Sequence, residues 1–304
     1  MIFHEGFYYY CESKNHQRNI MIRKSRTIAG VGQDPAVCVW SAPAAGRNAN
    51  AIWAPELHRL GNRWFIYYAA DDGRNKNHRM WVLESQGDDP LGKYHCRGEI
   101  QTGGWSIDGT VFTQADGRMF FIWSGWPGRR NGQQNLYIAP MQDPLTLAGP
   151  RMLLCTPDRP WERSAMPICE GPQVLQRNGN LFIVYSASGS WTPDYCLGLL
   201  HNPTGDVMNP AAWQKHGPVF QKTEHVWGVG HCSFVKSLCQ TEDWIIYHSK
   251  SALQHGWKDR DVHAKRFTWT PEGLPDFGTP PPRGPAISPT LAKPAGSCLI
   301  PIAA

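Results

Sequence analysis

The chain has 304 residues, with 30 lysines and arginines against 25 aspartates and glutamates, and a formal charge of +5 at pH 7. The basic residues are scattered, without a block that would form a nucleic-acid groove or a basic membrane helix. No run of about eighteen apolar residues predicts a membrane span, and the first residues lack the layout of a signal peptide. We therefore expect neither a nucleic-acid partner nor a membrane partner.

Aromatic strands recur along the whole chain. In chain order they end at Tyr10, Tyr68, Trp123, Tyr185 and Tyr247, which lie 58, 55, 62 and 62 residues apart. This spacing is at or just above the period of four-stranded propeller blades. A second apolar strand follows each aromatic strand after a polar turn, and these strands begin at Asn19, Arg79, Asn135, Tyr195 and His263.

These runs are short, rich in β-branched and aromatic residues, and bounded by turn residues, which is typical of strands. No long apolar period of about 3.6 predicts helices. The sequence therefore predicts an all-β protein, a five-bladed β-propeller over residues 1–278, followed by a proline-rich C-terminal tail over residues 279–304.

An inner strand precedes each of the last four aromatic strands and begins with unusual residues. Counted back 15 or 16 positions from the end of each aromatic strand, these residues are Trp53, Asp108, Glu170 and His231. Because the innermost strands of a propeller line its central channel, their first residues converge at one end of the axis. We expect the four side chains to share a pocket.

Asp108 and Glu170 are the candidate catalytic residues. Asp108 on its own is by default a turn or cap residue before glycine, whereas Glu170 before Gly-Pro is harder to explain by turn chemistry. Their shared register favours a site. Two carboxyl groups facing an aromatic-walled pocket suit cleavage of a glycosidic bond, in which one group stays protonated to donate to the leaving oxygen.

Further candidates concern binding of the substrate. Tryptophan side chains suit stacking on sugar faces, with core packing as the alternative for about half of them. Asp71 reads by default as part of a solvated turn, and Arg260 as either a surface charge or a hydroxyl-binding group. The candidate substrate-binding residues are Trp53, Glu56, Asp71, Trp126, Trp191, Trp227 and Arg260.

His231 is ambiguous between a metal ligand, a residue that positions a carboxylate and a hydrogen-bonded structural residue. No second histidine follows at ligand spacing, and the cysteines show no zinc pattern. Calcium held largely by water or carbonyl groups would leave no motif, so a structural Ca²⁺ in the central channel stays possible. No cofactor is expected for the chemistry itself.

The motifs WAPELH, IDGTVF, WSGW, EGPQVL and YSASGSWTPDYCLG, in this order, resemble glycoside hydrolase family 43, and most of all its exo-acting α-L-arabinofuranosidases. The resemblance covers about residues 1–278. It implies inverting hydrolysis of arabinose- or xylose-containing polymers by an aspartate general base, an aspartate that tunes the acid and a glutamate general acid. Asp108 corresponds to the tuning aspartate, Glu170 to the acid, and His231 to a histidine often beside a central calcium or water cluster.

The general base of the family lies in an Asp-Pro motif ahead of the first hairpin. The same interval as in the other repeats, counted back from Gly6, places this base a few residues ahead of Met1. Asp34-Pro35 reproduces the dipeptide but follows the second strand of its repeat, so we do not expect it to act as the base. Either the start was set too late, which would also remove a secretion signal, or this is a short form without the base; we favour the former.

The sequence thus predicts an inverting exo-α-L-arabinofuranosidase that releases L-arabinose from α-1,5-arabinan or arabino-oligosaccharides, with arabinan or arabinoxylan-type polysaccharides as partners. The full-length form is expected to be extracellular. One alternative is a β-xylosidase or endo-arabinanase of the same family. Another is a catalytically impaired carbohydrate-binding protein, and the oligomeric state stays open.

Overall fold

The computed structural model describes residues 1–282 and 284 of the chain. Blade 1 comprises β1 (Ile2–His4), β2 (Phe7–Lys14), β3 (Asn19–Ser25) and β4 (Ala36–Ser41), and blade 2 comprises β5 (Asn50–Leu60), β6 (Arg63–Asp71), β7 (Arg79–Ser85) and β8 (Tyr94–Glu99). Blade 3 comprises β9 (Ser106–Thr113), β10 (Met119–Gly125), β11 (Asn135–Asp143), β12 (Thr146–Leu147) and β13 (Met152–Cys155).

Blade 4 comprises β14 (Cys169–Arg177), β15 (Asn180–Ala187), β16 (Cys196–Asn202) and β17 (Gln214–Phe220), and blade 5 comprises β18 (Trp227–Lys236), β19 (Asp243–Lys250), β20 (Arg260–Trp269) and β21 (Pro275–Asp276). Within the described residues, helical structure is limited to short 3₁₀ segments at Ala29–Gly32, Asn75–Asn77, Pro160–Glu162 and Pro210–Ala212. None of these could cross a membrane.

Each blade is an antiparallel sheet whose strands pair in chain order, and in blade 3 both β12 and β13 pair with β11. The predicted five-bladed β-propeller is confirmed. The predicted aromatic strands are β2, β6, β10, β15 and β19, and the strands predicted after them are β3, β7, β11, β16 and β20. The last of these begins at Arg260, three residues before the predicted start.

Apolar cores lie between neighbouring blades, which explains why the aromatic strands are apolar on both faces. Residues Trp64 to Asp71 of β6, for example, are all buried. The ring closes between blades 5 and 1, where Tyr8 packs with Val235 and Trp244. The Tyr8 hydroxyl donates to the Lys236 carbonyl at 2.9 Å. Blade 1 is thereby fixed against blade 5.

The four inner strands β5, β9, β14 and β18 share a bulge in which two residues lie opposite one aromatic residue of the next strand. The first residue of each bulge has a positive φ, between 42° and 55°. The pairs, in chain order, are Ala54-Pro55 opposite Tyr68, Asp108-Gly109 opposite Trp123, Gly171-Pro172 opposite Tyr185 and His231-Cys232 opposite Tyr247.

This register corrects the predicted equivalence of the four inner-strand residues. Asp108 and His231 occupy the same bulge position, whereas Trp53 and Glu170 lie one residue before it. The prediction counted back 15 or 16 residues from the end of the aromatic strand. Because the hairpins that join the inner and aromatic strands differ in length, the interval from the bulge to the aromatic residue is 14, 15, 14 and 16 residues in blades 2 to 5.

The C-terminal residues of blade 5 are well packed. β21 pairs with β20, and Phe277 is buried against Phe220, Phe234 and Phe267. Residues 283 and 285–304 of the predicted tail lie outside the described residues. The boundary at residue 278 stays a prediction.

Candidate active site

Asp108 and Glu170 come from neighbouring blades and meet at the start of the inner strands. Both are 7% exposed. Asp108 Oδ2 accepts a hydrogen bond of 3.1 Å from the backbone N–H of Gly171, the residue after Glu170. The bulge in β9 turns the Asp108 side chain toward β14, and the bulge in β14 presents the Gly171 N–H to it. The predicted carboxyl pair is therefore assembled.

The surroundings of Glu170 favour its protonated form. Burial, followed by the charge of Asp108, raises the pKa of Glu170 to about 8, although a hydrogen bond from Tyr195 and the charge of Arg260 act in the opposite direction. At neutral pH Glu170 therefore carries a proton, as a general acid must.

Burial also raises the pKa of Asp108, but the charge of His231 and the Gly171 N–H favour its ionised form. Two adjacent carboxyl groups do not readily ionise together. Since a backbone N–H and a histidine stabilise the charge on Asp108, while Glu170 faces the charge of Asp108, the proton stays on Glu170.

His231 closes the other side of the pair. Its backbone N–H donates to Ser186 Oγ at 2.8 Å, and its ring is packed so closely on Gly171 that a Cβ there would lie 3.2 Å from His231 Nδ1. With φ of 55°, Gly171 also has a backbone conformation that favours glycine. The glycine after Glu170 thus allows the histidine to approach the pair.

Asp71 is buried and does not belong to a solvated turn, so that default interpretation is wrong. Its Oδ2 lies 2.9 Å from His78 Nδ1, and its Oδ1 accepts from the Gly73 N–H at 2.8 Å. The His78 ring stacks on Trp53 with 4.0 Å between ring centroids, and its charge acts on Asp108. Asp71 therefore reaches the site through His78, which it orients.

The tryptophans divide into two groups. Trp126 is buried and stacks on Trp105 with 4.6 Å between centroids and 9° between planes, as in the core-packing alternative. Trp53, Trp191 and Trp227 are partly exposed, at the end of the propeller where the inner strands begin. These three can offer a ring to a ligand.

The Trp191 loop is joined to the connection between β19 and β20. The Trp191 ring meets the exposed ring of Trp257 edge to face, with 5.6 Å between centroids, and the Trp191 carbonyl accepts from the Gly256 N–H at 2.7 Å. Arg260 follows this connection as the exposed first residue of β20, and its charge acts on Glu170. The loops of blades 4 and 5 therefore form one rim beside the acid.

Glu56 lies one step further along the inner strands, inside the channel. It accepts hydrogen bonds from Thr110 at 2.6 Å and from Gln173 at 2.8 Å, and His58 Nε2 lies 2.8 Å from its Oε1. Burial acts to raise the pKa of Glu56, but His58 and Thr110 outweigh it and keep that pKa below its ordinary value. Glu56 thus joins blades 2, 3 and 4, and its contacts are with protein groups.

Sequence reasoning missed Tyr195, His78 and His248 as members of the site. Tyr195 donates to Glu170 Oε1 at 2.8 Å, and its ring stacks on that of His248 with 5.5 Å between centroids. Tyr195 and His78 immediately precede the third strands of their blades, β16 and β7. A polar residue just before the third strand of a blade could have indicated a site residue, because this position lies beside the start of the inner strand.

Potential metal ligands cluster elsewhere in the described part of the chain. The sulfurs of Cys155 and Cys169 and a carboxylate oxygen of Glu162 lie close enough to share an ion. However, the Lys215 ammonium already lies 3.0 Å from Glu162 Oε1, and thiols do not suit calcium. This group does not fit the predicted Ca²⁺. In the channel, Glu56 is engaged by protein donors, so calcium at His231 would need to be held through water and stays a proposal.

The fold and the site define a class of protein, the five-bladed β-propellers with a buried carboxyl pair at one end of the axis. The sequence model described as Glycosyl hydrolases family 43 matches residues 1–275. The chain belongs to this family, and the predicted family is confirmed.

Individual relatives carry related names. The chain is 36% identical to "Alpha-L-arabinofuranosidase 43" of Humicola insolens over 300 residues, 92% of this chain and 61% of the relative. It is 34% identical to "Extracellular exo-alpha-(1->5)-L-arabinofuranosidase" of Streptomyces chartreusis over 255 residues, 81% of this chain and 77% of the relative. The crystal structure of alpha-L-arabinofuranosidase from Lactobacillus brevis superimposes with a TM-score of 0.86 and 32% identity, covering 91% of each chain. The chain therefore spans less than two thirds of the Humicola relative.

Proposed function

We propose that this protein is an inverting glycoside hydrolase that releases L-arabinose from α-1,5-linked arabinan or arabino-oligosaccharides. The observation that carries the proposal is the buried Glu170 beside Asp108, with its pKa raised to about 8. The names of the relatives support the sugar and the linkage. The name of the Streptomyces relative also supports an extracellular location.

In the proposed mechanism Glu170 donates its proton to the leaving glycosidic oxygen. Asp108 stays ionised, keeps the proton on Glu170 before the reaction and stabilises positive charge that develops on the sugar. The rings of Trp53, Trp191 and Trp227 and the Arg260 guanidinium contact the substrate at the rim. The reaction needs only proton transfers and a water molecule, so no cofactor is proposed for it.

Inversion also needs a carboxylate that activates water on the opposite face of the sugar. We propose that it belongs in the bulge of blade 1 that corresponds to Asp108 in blade 3. Ile2 pairs with Tyr9, so the bulge opposite Tyr10 would comprise Met1 and the position directly ahead of it. The register thus places the base nearer to Met1 than the count from Gly6 did. An aspartate followed by proline at these two positions would resemble the blade 2 bulge, in which Ala54 is followed by Pro55.

Burial of Glu170, together with the charge of Asp108, should set the upper pH limit of activity. Because Glu170 must be protonated, we expect kcat/KM to fall as the pH rises through about 8. Asp108→Asn removes the charge that helps raise the pKa of Glu170, so the limit should move down by about one pH unit or more. A pH profile of arabinobiose hydrolysis measures this limit. Asp116→Asn, in an exposed turn, is the matched control, and an unchanged limit in Asp108→Asn would contradict the role given to Asp108.

Product analysis on linear arabinan tests the proposed activity. We expect arabinose as the sole early product, because an exo-acting site releases one terminal sugar per cleavage. Early arabino-oligosaccharides would indicate an endo-arabinanase, and release of xylose from xylo-oligosaccharides alone would indicate a β-xylosidase. Binding of arabino-oligosaccharides in calorimetry without any product would indicate a carbohydrate-binding protein.

A further inference from the structure

We propose that Tyr195 is a positioning residue for Glu170. In this proposal a directed chain of hydrogen bonds, from the His231 N–H through Ser186 and Tyr195, holds the acidic proton of Glu170 on Oε2. The inference rests on the proposed role of Glu170 as the general acid. The inference adds Tyr195 to the catalytic site, although the sequence did not single out this residue. The proposed roles of Asp108 and Glu170 do not by themselves require it.

The position of the Tyr195 hydroxyl is determined by packing. The ring is fully buried and stacks on His248 with 6° between the ring planes. On β18, Gly230 lies so close that a Cβ there would be 2.1 Å from Tyr195 Cε1. With a ring on one side and a backbone on the other, Tyr195 has little freedom to rotate. Its hydroxyl is therefore held 2.8 Å from Glu170 Oε1.

The direction of the chain follows from its first member. The His231 backbone N–H can only donate, and it donates to Ser186 Oγ at 2.8 Å. Ser186 then has its own hydrogen available for the Tyr195 oxygen, and it acts in the direction of lowering the pKa of Tyr195, as a donor to that oxygen would. Tyr195 in turn donates to Glu170 Oε1. Because Oε1 is occupied as an acceptor, the proton of the neutral acid is placed on Oε2.

This arrangement has two effects on the acid. It selects one oxygen and one direction for proton transfer, which reduces the entropy cost of orienting the acid for the transition state. It also stabilises the carboxylate that remains after the transfer, because a hydrogen bond to an ionised group is stronger than one to a neutral group. Tyr195 therefore acts in the direction of lowering the pKa of Glu170, against burial and Asp108.

Charged and titratable groups from other elements also surround the pair. Asp108 lies on β9, His231 on β18, His248 on β19, and Arg260 begins β20. Asp108 raises the pKa of Glu170 and Arg260 lowers it. His248 is kept neutral by burial, which places its pKa well below the ordinary value. A variant that removes only the Tyr195 hydroxyl leaves all of these groups in place.

Tyr195→Phe is the test, since it keeps the ring and its stacking on His248. We expect the upper limit of the pH profile to rise by about one unit. At the pH optimum, kcat for arabinobiose should fall about tenfold with little change in KM, because the acid is still present but less well directed. Hydrolysis of p-nitrophenyl α-L-arabinofuranoside, whose leaving group needs little protonation, should change far less.

Titration of Glu170 by ¹³C NMR of glutamate-labelled protein separates this inference from the proposed activity. The Glu170→Gln spectrum identifies the signal, and Tyr195→Phe should raise the midpoint by the same amount as the kinetic limit. If the wild-type protein cleaves no arabinoside, the proposed function fails, and the titration still decides the role of Tyr195. An unchanged Glu170 midpoint in folded Tyr195→Phe protein overturns the inference.

Tyr185→Phe is the matched control, because Tyr185 is also buried on blade 4 and donates to a buried glutamate, Glu162, at 2.7 Å. It should leave the Glu170 titration and the pH limit unchanged. Ser186→Ala is the second variant and should raise the Glu170 midpoint by a smaller amount, because it weakens the donor strength of Tyr195. If Tyr195→Phe does not fold, an unchanged midpoint in Ser186→Ala overturns the inference.

Discussion

Glu170→Gln is expected to reduce the hydrolysis of arabino-oligosaccharides by about 10²- to 10⁴-fold. Glutamine has nearly the shape of glutamate and can still accept from Tyr195, but it has no acidic proton for the leaving oxygen. The p-nitrophenyl arabinoside should be partly spared, because its leaving group departs without full protonation. Steady-state kinetics on both substrates measures the difference.

The pattern across the two substrates is the critical observation for Glu170. An equal loss on both would contradict the acid role and would indicate a role in binding or folding. Glu84→Gln is a suitable control, since Glu84 is an ion-pair partner of Arg97 on the outer strands of blade 2, away from the site. It should leave both activities unchanged. Thermal unfolding of each variant shows whether a loss reflects stability.

A comparably large effect is expected at the blade 1 bulge. With Asp-Pro placed opposite Tyr10, ahead of Ile2, we expect hydrolysis about 10²- to 10⁴-fold faster than with Ala-Pro at the same positions. Both versions have the backbone form seen at Ala54-Pro55, and only the first offers a carboxylate to activate water. Arabinose release from arabinotriose measures the difference.

The comparison with Ala-Pro separates the effect of the carboxylate on activity from the effect of the added backbone. Equal activity in the two versions would contradict a general base in blade 1 and would require another carboxylate to activate the water. Asp34 is then the first residue to replace. In the structure it precedes β4 (Ala36–Ser41), and the Asp34 carbonyl accepts from Arg23 on β3, so it lies toward the outside of blade 1. We expect Asp34→Asn to have no effect on activity.

The repeated bulge explains how one architecture carries different chemistry in each blade. Its first residue is alanine in blade 2, aspartate in blade 3, glycine in blade 4 and histidine in blade 5, yet φ is positive in every case. A left-handed conformation costs a non-glycine residue about 1–2 kcal/mol. Because that cost recurs with unrelated side chains, the strand packing imposes the conformation, and the residue type at the bulge is left free for function.

The stacked pair Trp105 and Trp126 shows the limit of reading aromatic residues as ligand contacts. Both lie beside strand ends at the site end of the propeller, where Trp191 lies in a loop and Trp227 begins β18. In the structure they pack on each other within the core of blades 2 and 3, whereas Trp191 and Trp227 stay partly exposed. Composition alone does not separate these cases, because burial depends on how far each loop folds back over its blade.

The sequence by itself determined the blade count, the strand order and the pairing of Asp108 with Glu170. These properties depend on local patterns: the aromatic strand of each blade needs apolar residues on both faces, and the inner strands bring their first residues to a common axis. Recurring motifs of this kind can be recognised in the sequence without knowledge of the tertiary contacts.

Only the tertiary structure decided which groups act on the acid. Tyr195 lies 25 residues from Glu170, and its role depends on ring packing against His248 and Gly230. The placement of Glu56 in the channel and of Asp71 behind His78 likewise depends on bonds between separate strands and loops. Spacing predicts which end of a strand a residue occupies, but the direction of a side chain within a bulge, and the partner it reaches, follow from the packing of neighbouring blades.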